Sequence, residues 1–177
     1  MLFLGITNAY RAAFYTALPL FARSIGDAAT YGLILSAMNT GMLLSNLLLS
    51  TFLKIPRVAH TAVMLNFWEG LTLVLLGLAR TPAQAWAPAL VSEGLSNLSS
   101  IVYTSWIQAT VSKELLGRIN AVVQIGGYVF TPLGFLLTTP LVAALNPVGT
   151  TMVLGAATAA TAIAWYWKLP KEPPGKA

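Results

Sequence analysis

Long apolar blocks alternate with short polar turns along this chain, and inside several blocks the few polar residues recur at helical spacings. The blocks run over about 2–24, 31–53, 58–79, 85–111, 118–145 and 148–167. Each comes near the roughly 20 residues that a helix needs to cross the hydrocarbon core of a bilayer. The first turn runs from Ile25 to Thr30, and the second carries Lys54, Pro56 and Arg57. Arg80, Thr81 and Pro82 follow, then a charged turn with Lys113, Glu114 and Arg118, then Asn146 and Pro147. The pattern predicts an all-α membrane protein. Six transmembrane helices form one bundle over 1–168, and a basic, Pro-rich cytoplasmic tail covers 169–177.

The fifth block shows the pattern in detail. Asn120, Gln124, Gly127, Thr131, Gly134 and Thr138 follow one another at alternating spacings of four and three, which puts them on one helical face. A helix that is apolar all round except for a small, polar stripe faces protein or water on that side and lipid elsewhere. Gly126, Gly127 and Gly134 read as sites of close helix packing, and Pro19 and Pro132 as bends. The six blocks also divide into two triplets, 1–80 and 83–167. Three spans are an odd number, so the triplets are inverted relative to each other. Their first members carry one charge each at depth, Arg11 and Glu93. Their second members carry Asn39 and Gly41, and Gln124, Gly126 and Gly127. Such symmetry occurs in transporters built from inverted repeats.

Composition narrows the class. The chain is 56% hydrophobic and 8% charged, whereas a soluble domain carries about a quarter charged residues. No signal peptide is expected, because the first block is too long and has no basic n-region. With no cysteine, disulfides and thiolate metal sites are excluded and the redox compartment is unreadable. The net charge of +5 maps to topology. Lys54, Arg57, Lys113, Arg118, Lys168, Lys171 and Lys176 fall on one side, and only Arg23 and Arg80 on the other. The positive-inside rule makes the first side cytoplasmic, which predicts a multi-pass inner-membrane protein with both termini in the cytoplasm. Trp165, Tyr166 and Trp167 read as an interfacial belt on that side, and Trp86 as its counterpart on the other. No basic face with groove-reading elements exists, so nucleic acid is not an expected partner.

Intramembrane charges are the candidate chemistry. A charge at bilayer depth costs about 2.5–3.5 kcal/mol on insertion scales, so Arg11 should face the bundle interior and find a partner. Asn8, Arg11 and Tyr15 share a face, which reads either as a substrate or ion contact or as a structural ion pair. Glu93 heads the longest polar stripe, Glu93, Asn97, Ser100, Thr104 and Gln108. A carboxylate there suits a proton-coupled carrier, and the stripe also suits a hydrogen-bonded helix seam. Glu69, with Asn66 one turn earlier, is a possible charge partner inside the membrane. Asn39, Gln124 and Tyr128 complete the candidate pathway. The single His60 near the inner end of the third block reads as structural. Paired-carboxylate motifs, HExxH, GxSxG and phosphate loops are missing, so no enzyme activity, cofactor or metal is expected.

Three stretches carry a family likeness. The first block ends in ALPLF (17–21), Tyr31 and Gly32 open LILSAMNTGMLLSN, and GRINAVVQIGGYVFTPLG (117–134) joins a Gly-Arg turn to a helix ending in Pro-Leu-Gly. In order and spacing the chain resembles the C-terminal six-helix half of a major facilitator superfamily transporter. The nearest branch is that of bacterial proton-driven exporters of drugs, macrolides and siderophores. The turn TFLKIPRV (51–58) lacks the Asp and Gly of the family's loop motif, so no gating role carries over to it. The resemblance implies that the first and fourth helices line a central cavity, the second and fifth flank it, and the third and sixth are peripheral. It promotes Arg11, Tyr15, Glu93 and Asn97 and demotes Glu69, although a charge facing lipid is implausible, so Glu69 should turn inward. It also implies a small-molecule substrate, protons, and a second six-helix half, either an N-terminal half or another copy of this chain. The alternative expectation is a non-transporting membrane module, a truncated remnant or accessory subunit that only pairs with other helices.

Overall fold

The computed structural model describes residues 2–52 and 58–169. These are all-helical, with no strand among them: α1 Leu2–Ile25, α2 Ala28–Phe52, α3 Val58–Leu78, α4 Pro82–Thr110, α5 Lys113–Tyr128 and α6 Thr131–Tyr166. Lys54, Arg57 and the tail from 170 onward lie outside the described residues.

Local chemistry sets the helix boundaries. Asp27 caps α2: its Oδ1 accepts from Thr30 N at 3.1 Å, and Thr30 Oγ1 accepts from Asp27 N at 3.1 Å. This reciprocal pair is a capping box, and it starts α2 three residues earlier than the apolar pattern does. Thr81 caps α4 with Pro82 in the first turn, where a missing N–H costs nothing. Gln84 N donates to Thr81 Oγ1, and Gln84 Oε1 accepts from Arg80 N at 2.9 Å. Pro19 sits inside α1, which is assigned as continuous through it.

The fifth and sixth blocks differ from the pattern. The expected helix over 118–145 begins earlier, at Lys113, and is interrupted at Val129 and Phe130. Pro132 has no N–H, so the Tyr128 carbonyl loses its helical donor. The dihedrals of Val129 and Phe130 stay right-handed. Successive α1 residues meet successive residues across the gap: Gly5 meets Gly126, Asn8 meets Gly127, Ala9 meets Gly134 and Ala13 meets Thr138. The two pieces therefore form one rod parallel to α1, with a hydrogen-bond gap in it. Past the gap, α6 runs to Tyr166 as two limbs joined at Asn146, whose φ of 57° and ψ of 171° break the helix. Asn tolerates positive φ. Its side-chain oxygen accepts from Gly149 N at 3.0 Å and its carbonyl from Thr150 Oγ1 at 2.8 Å, so Asn146 itself starts the second limb.

Helix pairing follows the glycines. Gly41 of α2 lies against the Leu90 carbonyl of α4. Gly70 and Gly77 of α3 lie against Gly155, Ala159 and Met152 of the second α6 limb, and Gly134 against Ala9 of α1. Without side chains at these points the backbones approach closely. The pairings make α2 parallel to α4, and α3 antiparallel to α4 and to the second α6 limb. Successive rods therefore alternate in direction. At the end bearing the α1–α2 turn, Phe14, Leu18, Phe21, Ile34, Met38, Leu73, Leu76 and Leu154 form the main apolar core.

Among the described residues three stretches are long and apolar enough to cross a membrane: Ala28–Leu49, Ala59–Leu78 and Lys113–Tyr166, the last containing the gap and the Asn146 break. The rods α1 and α4 have 24 and 29 residues, and they carry Arg11 and Glu93.

Candidate functional site

The apolar core fills one end of the bundle and stops at Arg11. Beyond it, toward the end where α1 starts and α4 ends, a cavity of about 500 Å³ opens. Asn8 and Arg11 of α1, Asn66 of α3, and Glu93, Ser96, Asn97 and Ser99 of α4 are among its polar lining residues. Phe3, Tyr103, Trp106 and Trp165 are its aromatic lining nearer the mouth.

Arg11 is the hub. Its Nη2 donates to Glu93 Oε1 at 2.8 Å and to Tyr15 Oη at 3.4 Å, and its Nη1 lies 3.7 Å from Glu69 Oε1. Tyr15 Oη donates to the other Glu93 oxygen at 2.7 Å. The guanidinium also sits 5.7 Å from the Tyr15 ring centre, within cation–π range. Only a planar fork can serve α1, α3 and α4 at once. The Arg11 side chain is 29% exposed and that of Glu93 13%, both at the cavity head, whereas that of Glu69 is 5% exposed. Glu69 thus turns inward toward Arg11, the orientation expected of a charge that does not face lipid.

Two seams flank the cluster. Asn97 Nδ2 donates to Ser45 Oγ at 2.7 Å and to Asn46 Oδ1 at 2.9 Å, which ties α4 to α2. Asn66 Nδ2 donates to Ser99 Oγ at 2.6 Å, and Ser99 Oγ donates to the Ala62 carbonyl at 2.9 Å, which ties α3 to α4. Asn8 donates to the Gly127 carbonyl at 3.2 Å and so serves both packing and the cavity.

The remaining candidates stand elsewhere. Asn39 is exposed on α2 and donates to its own helix at the Leu35 carbonyl. Gln124 and Tyr128 are exposed on α5 and do not line the cavity. Ser100 and Thr104 continue the Glu93 stripe as exposed residues, and Ser100 also borders the cavity. Lys113 and Arg118 are exposed where α5 starts, at the cavity end of the bundle.

Ser92, Ser96 and Ser99 form a buried stripe one residue before the Glu93 stripe, and it faces α3. Ser96 stands beside the Glu69 carboxyl. The spacing of four and three was visible in the sequence, but small hydroxyls next to a longer polar stripe gave no sign of which face was buried. Comparison with protein-family models, with curated proteins and with solved structures finds no match to this chain. The site therefore rests on its own chemistry. Among the described residues no three His, Asp or Glu side chains gather as a metal-ligand set. What the arrangement can do is hold charge: one cation and two carboxylates inside an apolar bundle, with Arg11 and Glu93 accessible from a cavity open at one end.

Proposed function

We propose that this chain is one six-helix half of a secondary-active inner-membrane transporter of the major facilitator type. Its six transmembrane helices form two inverted triplets, with both termini cytoplasmic. It moves a small organic compound against protons, outward, by alternating access with a second six-helix half. That half is another copy or a further part of the same assembly.

The observation that carries the reading is the Arg11–Glu93–Glu69 cluster at the head of the cavity. Charges at bilayer depth are expensive and mark substrate or ion pathways. A packing seam needs neither a guanidinium nor an adjoining cavity, and the Asn97 and Asn66 seams supply packing without charge. The cavity volume of about 500 Å³ suits a small ligand, for which pockets span about 300–1,000 Å³. The order of the ALPLF, Tyr31–Gly32 and Gly117–Gly134 stretches supports the family. On this reading Asn39, Gln124 and Tyr128 face the second half across the central pathway.

The test is flux in reconstituted vesicles carrying a pH gradient, with a panel of fluorescent lipophilic compounds. Arg11→Ala and Glu93→Gln are each expected to lower gradient-driven flux at least about tenfold, a transition-state loss of about 1.4 kcal/mol or more. Both variants should still insert in the membrane. Wild-type flux from both would overturn the site, and a wild-type chain that neither pairs nor transports would favour the non-transporting module.

A further inference from the structure

The intramembrane charges do not balance. Arg11 supplies one positive charge to two carboxylates, Glu69 and Glu93. From α1 Glu69 meets Arg11 and, behind it, Tyr15; from α4 it meets Glu93. The second limb of α6, which packs on α3, has no ionisable side chain before Tyr166.

Arg11 is shared unequally. It donates to Glu93 at 2.8 Å, and Tyr15 donates to the second Glu93 oxygen at 2.7 Å. Glu93 therefore has a strong donor on each oxygen. Glu69 is 4% exposed, with the guanidinium at 3.7 Å, beyond hydrogen-bond length, and the Ser96 hydroxyl beside it. A buried carboxylate with so few donors is costly as an anion, and one proton on it removes the surplus negative charge of the whole cluster.

We propose that Glu69 is the proton-carrying group of this protein and that Arg11 is the element that exchanges between the two carboxylates. With Arg11 on Glu93, Glu69 holds one proton. When Arg11 crosses to Glu69, the Glu69 O–H bond breaks, the proton passes to a water oxygen as hydronium, and the guanidinium neutralises the new carboxylate. Glu93 then keeps only the Tyr15 hydroxyl and presents a free negative charge to the cavity, where a cationic solute can take the place of Arg11. Ser96 links Glu69 to the cavity, because it stands beside the carboxyl and also lines the cavity. The place of this step in a cycle rests on the transporter reading, but the protonation itself does not.

Infrared difference spectroscopy of the whole chain in vesicles, between about pH 5 and about pH 9, tests the assignment without any solute. One protonated-carboxyl band is expected in the wild-type protein, with loss of that band in Glu69→Gln. Ser96→Ala keeps every charge and should shift the frequency of the band, since it removes the hydroxyl beside Glu69. Tyr15→Phe removes the corresponding partner of Glu93 and should leave the frequency in place. A band that survives Glu69→Gln would overturn the proposal. So would one that moves in Tyr15→Phe but not in Ser96→Ala, or a wild-type chain with no such band. If Glu69→Gln does not fold, the Ser96 and Tyr15 variants decide between the two carboxylates. A band with these properties in a chain without flux would reject the transporter reading and leave this assignment standing, and flux without the band would do the reverse.

Discussion

A β-carbon built on Gly41 runs into the Leu90 carbonyl, whereas one built on Gly32, nine residues earlier in the same helix, meets nothing within 4 Å. The two positions separate intrinsic preference from packing. Gly32→Ala is expected to stabilise by roughly 0.5–1 kcal/mol, because Gly is the poorer helix former. Gly41→Ala must push α2 off α4 at a cost of about 1–3 kcal/mol. Thermal melting of the detergent-solubilised protein by circular dichroism should rank Gly32→Ala above wild type and Gly41→Ala below it, and equal melting of the two variants would contradict the close crossing. Arg11 gives the second residue-scale prediction. Its Nη1 and Nη2 serve different carboxylates, and a lysine has one nitrogen to offer. Arg11→Lys should therefore retain charge and membrane insertion but lose at least about tenfold of gradient-driven flux. Full activity in Arg11→Lys would mean that only the charge matters. Arg11, Glu93 and Tyr15 were legible in the sequence, because a charge at depth needs a partner and helical spacing put Tyr15 beside Arg11. Glu69 was legible as a possible charge partner but not as the partner of Arg11 in particular, since no periodicity within α3 says which neighbour its face meets.

At the scale of elements, hydropathy recorded helices well and hydrogen bonding poorly. The rod over 118–145 is apolar throughout, so nothing in its pattern registers that Pro132 opens a gap after Tyr128. Likewise the short polar turn before Tyr31 concealed a helix start, because Asp27 and Thr30 cap each other rather than form a loop. That cap carries a pH dependence. Hydrogen bonds from the Thr30 side chain and then its backbone hold the exposed Asp27 carboxyl below the ordinary carboxylate range. A depressed carboxylate contributes stability above its unfolded-state value and loses it as the pH falls through the folded one. Asp27→Asn keeps a capping side chain without the charge. Melting of wild type and Asp27→Asn should converge at low pH and separate, with wild type higher, once the pH exceeds the usual carboxylate range. A constant difference across the titration would show that the charge is irrelevant to the cap.

At the scale of the whole molecule, the sequence carried the all-helical, apolar class, but the position of the cavity depended on which faces met. The chain contains no cysteine, so single substitutions map its surfaces without background. Ser100→Cys, at the cavity, and Gly117→Cys, where nothing lies within 4 Å of the site, should react with a charged, impermeant maleimide from the same side of the membrane. Arg80→Cys should react from the other side. Leu136→Cys should stay unlabelled, although Leu136 is 72% exposed in the isolated bundle, because its surroundings are lipid or a second half. Labelling of Ser100→Cys and Arg80→Cys from one side would overturn the alternation. The uneven filling of the bundle, cavity at one end and apolar core at the other, also has an electrical meaning. Water in the cavity carries the potential of the compartment it opens to, so in an energised membrane most of the voltage drops across the layer of Phe14, Leu18, Phe21 and Ile34. A proton exchanged between Glu69 and the cavity crosses little of that drop. An ion passing the apolar layer experiences nearly all of it, about 2.3 kcal/mol per elementary charge for each 100 mV. The voltage sensitivity of this protein is therefore set by its least polar residues.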